Sequence, residues 1–139
     1  MLRLVRFGIS LESELSKNFD VLISKRGYTN RSEAIRDLIR NELVKDEWTS
    51  SRAQVSGVIS LVYDHHKREL VDHLMNIQHD HQNMIIASQH IHLDHDNCLE
   101  AIVVKGSANG IKDLAARLRA VKRVKHSELL MTTGGKNIE

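Results

Sequence analysis

One strand and two helices are too little to close a core, and the first fifty residues offer no more than that. Residues 3–9 (Arg-Leu-Val-Arg-Phe-Gly-Ile) read as the strand. Phe7, Ile9 and Leu11 fall on one parity, and Arg6, Gly8 and Ser10 on the other. Leu11, Leu15, Phe19 and Leu22 then recur at helical spacing as far as Gly27, a residue suited to the left-handed position after a helix. Asn30 offers an N-cap with Glu33 three residues on, ahead of Ala34, Ile35, Leu38, Ile39 and Leu43. A lone strand needs a partner, and the same strand of a second chain supplies it. The expected product is a two-stranded antiparallel ribbon, apolar underneath against four helices and polar above.

This unit resembles the ribbon-helix-helix DNA-binding fold, and residues 27–37 (Gly-Tyr-Thr-Asn-Arg-Ser-Glu-Ala-Ile-Arg-Asp) are close to that family's signature. A ribbon of two strands fits the major groove, where Arg6, Gly8 and Ser10 on the upper face would meet base edges. The start of the second helix, at Asn30, Arg31 and Ser32, would hold a backbone phosphate. The plainer alternative is a dimerisation module that never meets DNA. Net charge is only +2, which excludes a polycation gripping nucleic acid by charge alone.

Residues 48–54 are polar and read as a linker, so the expected domains are 1–48, a linker at 49–54, a second domain at 55–132 and a frayed tail at 133–139. In the second domain Val55, Ile59, Leu61 and Tyr63 share one strand parity, and Leu70, Leu74 and Ile77 mark a helix over 66–79. Strands follow at 83–93 and 99–106, a helix at 109–122 and a last strand near 124–132. The order is β-α-β-β-α-β, a ferredoxin-like arrangement, so the whole chain is α+β. Two helices would cover one sheet face and leave the other bare for another copy. Met75 and Met84 read as core fillers.

Histidine is the compositional outlier. Eight of the nine lie between His65 and His95, and the single cysteine, Cys98, follows shortly after that stretch. His90 and His92 flank one residue on a strand, so their imidazoles leave the same face roughly 6.6 Å apart at about 3.3 Å per residue. Asp94 to Asn97 turns the chain back, and Cys98 opens the next strand, where a thiolate can close on an ion shared with both imidazoles. Ile91 and Leu93 are expected to face the core. The alternative without metal is a polar strand face beside a buried free thiol. Residue types alone leave zinc, nickel and copper open, because geometry decides among them.

The run Gln78-His79, His90-Ile91-His92 and Cys98-Leu99-Glu100, behind a ribbon-helix-helix unit, resembles the nickel-responsive regulator family NikR over essentially the whole chain. The resemblance implies one Ni(II) per subunit, held by His90, His92, Cys98 and His79 of a neighbouring subunit, with Tyr63 and Glu100 in the supporting hydrogen-bond shell. It also implies a tetramer built as a dimer of dimers, a palindromic operator, and repression of nickel uptake. Glu33 and Asp37 match positions that help hold a cation between the two domains; read as i, i+4 carboxylates, they are simply solvated. A strand-length estimate agrees with sharing: His90 lies six residues beyond Met84, about 20 Å from the helix end that carries His79. His65, His66, His73, His81 and His95 are left as auxiliary sites or surface residues. No enzyme constellation appears, and with one cysteine and no apolar run of membrane length a cytoplasmic, membrane-free setting is expected. The competing readings are a hydrolytic metalloenzyme and a ribbon-helix-helix regulator that senses a small organic ligand or another transition metal.

Overall fold

A computed structural model describes residues 3–50 and 52–139, so Ser51 of the expected linker lies outside the described residues. The chain divides into two compact units, Met1–Arg40 and Asn41–Glu139, and the division falls within a helix.

In the first unit, residues 3–12 form no strand. The expected ribbon is intermolecular, and a single chain offers no ladder partner for these residues. Helix α1 spans Ser13–Lys25 and α2 spans Arg31–Thr49. The turn between them uses Gly27 at φ 82°, a left-handed conformation that a side chain would strain. Asn30 caps α2, its Oδ1 accepting from the Glu33 amide at 2.9 Å. Arg31 ties the two helices by a two-pronged pair to Asp20 at 2.8 and 2.7 Å. Burial is sparse, with Ile23 and Ala34 covered but Leu4 86%, Val5 78% and Phe7 70% exposed. Phe7, Ile9, Ile35 and Ile39 line an open apolar hollow along α2.

In the second unit, β1 (Gln54–Asp64), α3 (Arg68–Asp80), β2 (Ile85–His92), β3 (Asn97–Ser107), α4 (Ala108–Arg119) and β4 (His126–Met131) follow in the expected β-α-β-β-α-β order. The antiparallel sheet is ordered β2-β3-β1-β4. Ile59, Leu61 and Tyr63 of β1 are buried opposite Ile102, Glu100 and Cys98 of β3, Val55 and Val104 are buried on the same face, and Leu70, Leu74, Ile111, Leu114 and Leu118 close the core from the helices. The parity includes Gly57 for a reason of space: a Cβ there would lie 2.8 Å from the Leu130 carbonyl oxygen.

Three local expectations change. Trp48, read as the head of a polar linker, is the buried end of α2; its Nε1 donates to the Thr132 oxygen at 2.8 Å. Met75 is 61% exposed, not a core filler, whereas Met84 packs against the core. Ile91 and Leu93 do not face the core but lie exposed. Register explains this: His90 pairs with Glu100 and His92 with Cys98, so the histidines share the helix-covered face and Ile91 takes the bare one. Alternation fixes that neighbours oppose each other, not which side is covered.

Candidate metal centre

The centre of the second unit's polar chemistry is Glu100, a carboxylate 1% exposed. A buried polar group is costly unless it is hydrogen-bonded, and both oxygens of this one are. It accepts from the Tyr63 hydroxyl at 3.1 Å, from Gln78 Nε2 at 3.3 and 3.2 Å, and from Ser88 Oγ at 2.9 Å. Burial, then the nearby Glu100 charge, pushes the Tyr63 phenol well above its ordinary range, so it stays protonated and donates.

Glu100 also sets the orientation of His90, whose Nε2 lies 3.2 Å from Oε2. The opposite ring nitrogen, Nδ1, faces the Cys98 sulfur at 3.8 Å and the Tyr63 oxygen at 3.3 Å. A carboxylate on one nitrogen fixes the proton there and leaves the other lone pair for a ligand. With the proton on the Glu100 side, the nitrogen left for a ligand is Nδ1, which faces the chain's single thiol. Cys98 is 1% exposed, while the His90 side chain is 53% exposed, so the pair opens outward on its imidazole side. One thiolate and imidazoles on a single strand face suit a borderline transition metal, so the residues present fit a nickel ion.

His92 sits opposite Cys98 in the register, with its ring 4.6 Å from that of His65. His79 is exposed at the C-terminal end of α3. The strand-length estimate of its distance from His90 does not survive. Gln78, next to His79, donates to the same Glu100 oxygen that His90 approaches, because α3 folds back over the sheet. Gln78 and Ser88 are the polar residues that sequence reasoning missed as Glu100 partners; Ser88 shares the parity of His90 and His92, which is the one signal that marks it. In the first unit Arg6, Gly8, Ser10, Asn30, Arg31 and Ser32 are exposed. Glu33 pairs with Arg36 at 3.2 Å, and Asp37 accepts from Tyr28 at 2.7 Å, so each carboxylate of the expected cation pair has its own local partner.

Comparison with known proteins places both halves. Residues 5–46 match the model of the ribbon-helix-helix proteins of the copG family, and residues 56–132 match that of the NikR C terminal nickel binding domain. The class is therefore a ribbon-helix-helix DNA-binding domain joined to a nickel-binding domain. A relative from Nitratidesulfovibrio vulgaris is 52% identical over 136 residues, covering 98% of both chains. One from Pyrococcus furiosus is 50% identical over 135 residues, covering 97% of this chain and 98% of its own. Each is described as "Putative nickel-responsive regulator". The chain belongs to the NikR family of nickel-responsive regulators, a family of transcription regulators and not of enzymes. A solved structure of an uncharacterized Thermotoga maritima protein superposes with a TM-score of 0.51 at 12% identity, over 55% of this chain and 95% of that one, and supports the fold alone. Among the described residues no helix is long and apolar enough to cross a membrane.

Proposed function

We propose that this chain is a nickel-gated repressor of nickel uptake, cytoplasmic and tetrameric, that binds a palindromic operator when Ni(II) occupies its second unit. The observation that carries the reading is the His90 Nδ1 facing the Cys98 sulfur with Nε2 on Glu100. His90, His92 and Cys98 would hold the ion, one per subunit, with His79 of the partner subunit as fourth ligand. Nickel supplies the ligand-dependent signal. The protein's own part is to hold Glu100 in its hydrogen bonds, so that His90 presents one nitrogen to the ion, and to give up the Cys98 proton on binding. Gating requires metal to favour the DNA-competent state, and the coupling is reciprocal. In the first unit Arg6, Gly8 and Ser10 on the paired strands would read the operator, with Asn30, Arg31 and Ser32 at the phosphate and Glu33 and Asp37 as candidate ligands of a structural cation. Arg31 would have to release Asp20 to reach a phosphate.

Subunit mixing tests the shared site. A His79→Ala chain paired with a Cys98→Ala chain has one site with all four ligands and one lacking two. Mixed oligomers, co-expressed with different tags, are expected to recover about one nickel site per mixed pair, although each variant alone has only damaged sites. Hetero-oligomers that recover none would remove His79 from the site.

A further inference from the structure

From Asn41 onward α2 belongs to the second unit, and its last turn is fastened there. Trp48 is 3% exposed and sits in that unit's core, with Val44 packed against the same cluster. Polar contacts hold it from three elements. Trp48 Nε1 donates to the Thr132 oxygen at 2.8 Å, and Lys112 Nζ of α4 donates to the Trp48 carbonyl at 2.7 Å. The Thr133 hydroxyl donates to Glu47 Oε2 at 2.9 Å, while the Thr133 carbonyl accepts from Ser56 Oγ of β1 at 2.7 Å. The last turn of α2 has no basic residue of its own, so Lys112 brings a cation to carbonyls that a helix end leaves unpaired. The indole edge lies against β1 at Gly57, where a Cβ would stand 3.6 Å from Cη2. Gly57 shares its face of β1 with Ile59, Leu61 and Tyr63. One strand face thus carries the indole at one end and, about 20 Å along, the Tyr63 that bonds Glu100 and His90.

We propose that Trp48 is the positioning residue of the nickel response: clasped by Lys112, Thr132 and Thr133, it makes the end of α2 move with the metal-binding sheet. The inference rests on the nickel-gated reading above. It assigns the passage of the signal, which that reading leaves open. Helix α2 starts at Arg31 and Ser32, the candidate phosphate contacts, and reaches Thr49 with neither glycine nor proline. Such a helix lacks the usual causes of a sharp kink. A shift of β1 at its Tyr63 end is therefore handed to a helix end bonded to the same strand's neighbourhood, where a flexible connection would lose it. Trp48 touches neither nickel nor DNA. Its part is to keep the second unit's movement from stopping at the helix end.

The test uses the full chain and a DNA duplex selected from a random pool by the nickel-loaded unaltered protein. Trp48→Ala removes the indole, and a Lys112→Met, Thr133→Val double variant loosens its clasp while leaving the core side chains in place. Both should keep the sulfur-to-nickel band, nickel affinity without DNA, and nickel-free affinity for the duplex. Both should lose at least about fivefold of the nickel-induced rise in duplex affinity, the lower end of ordinary coupling. By reciprocity the duplex should then raise nickel affinity by correspondingly less, a readout that a merely structural role would not move. Trp48 is the only tryptophan, so acrylamide quenching reads the clasp directly and should increase in the double variant. A full nickel response in Trp48→Ala, or in the double variant if Trp48→Ala does not fold, overturns the proposal. So does an indole that stays equally shielded in the double variant. If the unaltered chain binds the duplex equally with and without nickel, the nickel-gated reading itself fails and this inference falls with it.

Discussion

The two units solve the same problem, burying apolar surface, in opposite ways. In the second unit Ile59, Leu61, Ile102 and Leu114 are wholly buried, because four strands and two helices from one chain suffice. In the first, Phe7 and Ile9 remain 70% and 59% exposed on an unpaired segment. At about 25 cal/mol per Å² of apolar surface, leaving such side chains in water forgoes roughly 1.5–3 kcal/mol each. The second unit closes a core from one chain on the helix-covered face of its sheet, while Ile86, Ile91 and Leu130 elsewhere on that unit stay exposed; the first unit has hardly any core of its own.

The contrast is broken most forcefully in the core. Leu61→Ala is expected to cost about 2–5 kcal/mol of second-unit stability, read as a lower denaturant midpoint. Phe7→Ala should leave that midpoint unchanged and instead weaken self-association and operator binding, read by sedimentation and mobility shift. If Phe7→Ala shifted the second unit's midpoint as Leu61→Ala does, the units would not be independent.

A smaller effect sharpens the chemistry of the second unit. Tyr63→Phe removes a donor to Glu100 and a neighbour of His90 Nδ1 while keeping the ring. Loss of a supporting partner costs about 10–100-fold in metal affinity. A competition titration against a chelator measures it, and unchanged affinity would separate the Glu100 network from metal binding.

The smallest effect belongs to the first unit. The Arg31 hydrogen bonds hold the Asp20 carboxyl below its usual value. A carboxylate with a lowered folded pKa contributes stability above its unfolded value near 3.9 and loses it as pH falls through the folded one. Asp20→Asn should therefore melt slightly below the unaltered chain at pH 7, with the gap closing below about pH 4. The pair is exposed, so the gap is small and shrinks with salt. A gap that persisted at pH 2 would assign it to another cause.

How much was legible follows the same division. Periodicity carried the element order, since Val55, Ile59, Leu61 and Tyr63 alternate and Leu70, Leu74, Leu114 and Leu118 recur at helical spacing. Asn30 and Gly27 announced their cap and turn. Side-chain spacing also put His90 near Cys98, because a tight hairpin brings strand neighbours together. What a period cannot tell is which face is covered, and Ile91 was misplaced for that reason. Trp48 stands in polar sequence, and nothing local reveals that its indole reaches Thr132. The Glu100 network joins β1, α3, β2 and β3, so its partners converge only after folding. The ribbon expected from the strand parity of residues 3–9 is not formed in the single chain, which offers those residues no second strand to pair with.

The central claim is that a thiolate–imidazole site in the second unit governs DNA binding by the first. Its most direct test is a mobility shift of operator DNA across a Ni(II) titration, followed by chelator, with the unaltered chain and Cys98→Ala side by side. Affinity of the unaltered chain is expected to rise with nickel and fall back on chelation, and the variant should not respond. Equal nickel-dependent binding by Cys98→Ala, or operator binding by the unaltered chain that ignores nickel altogether, would contradict the account.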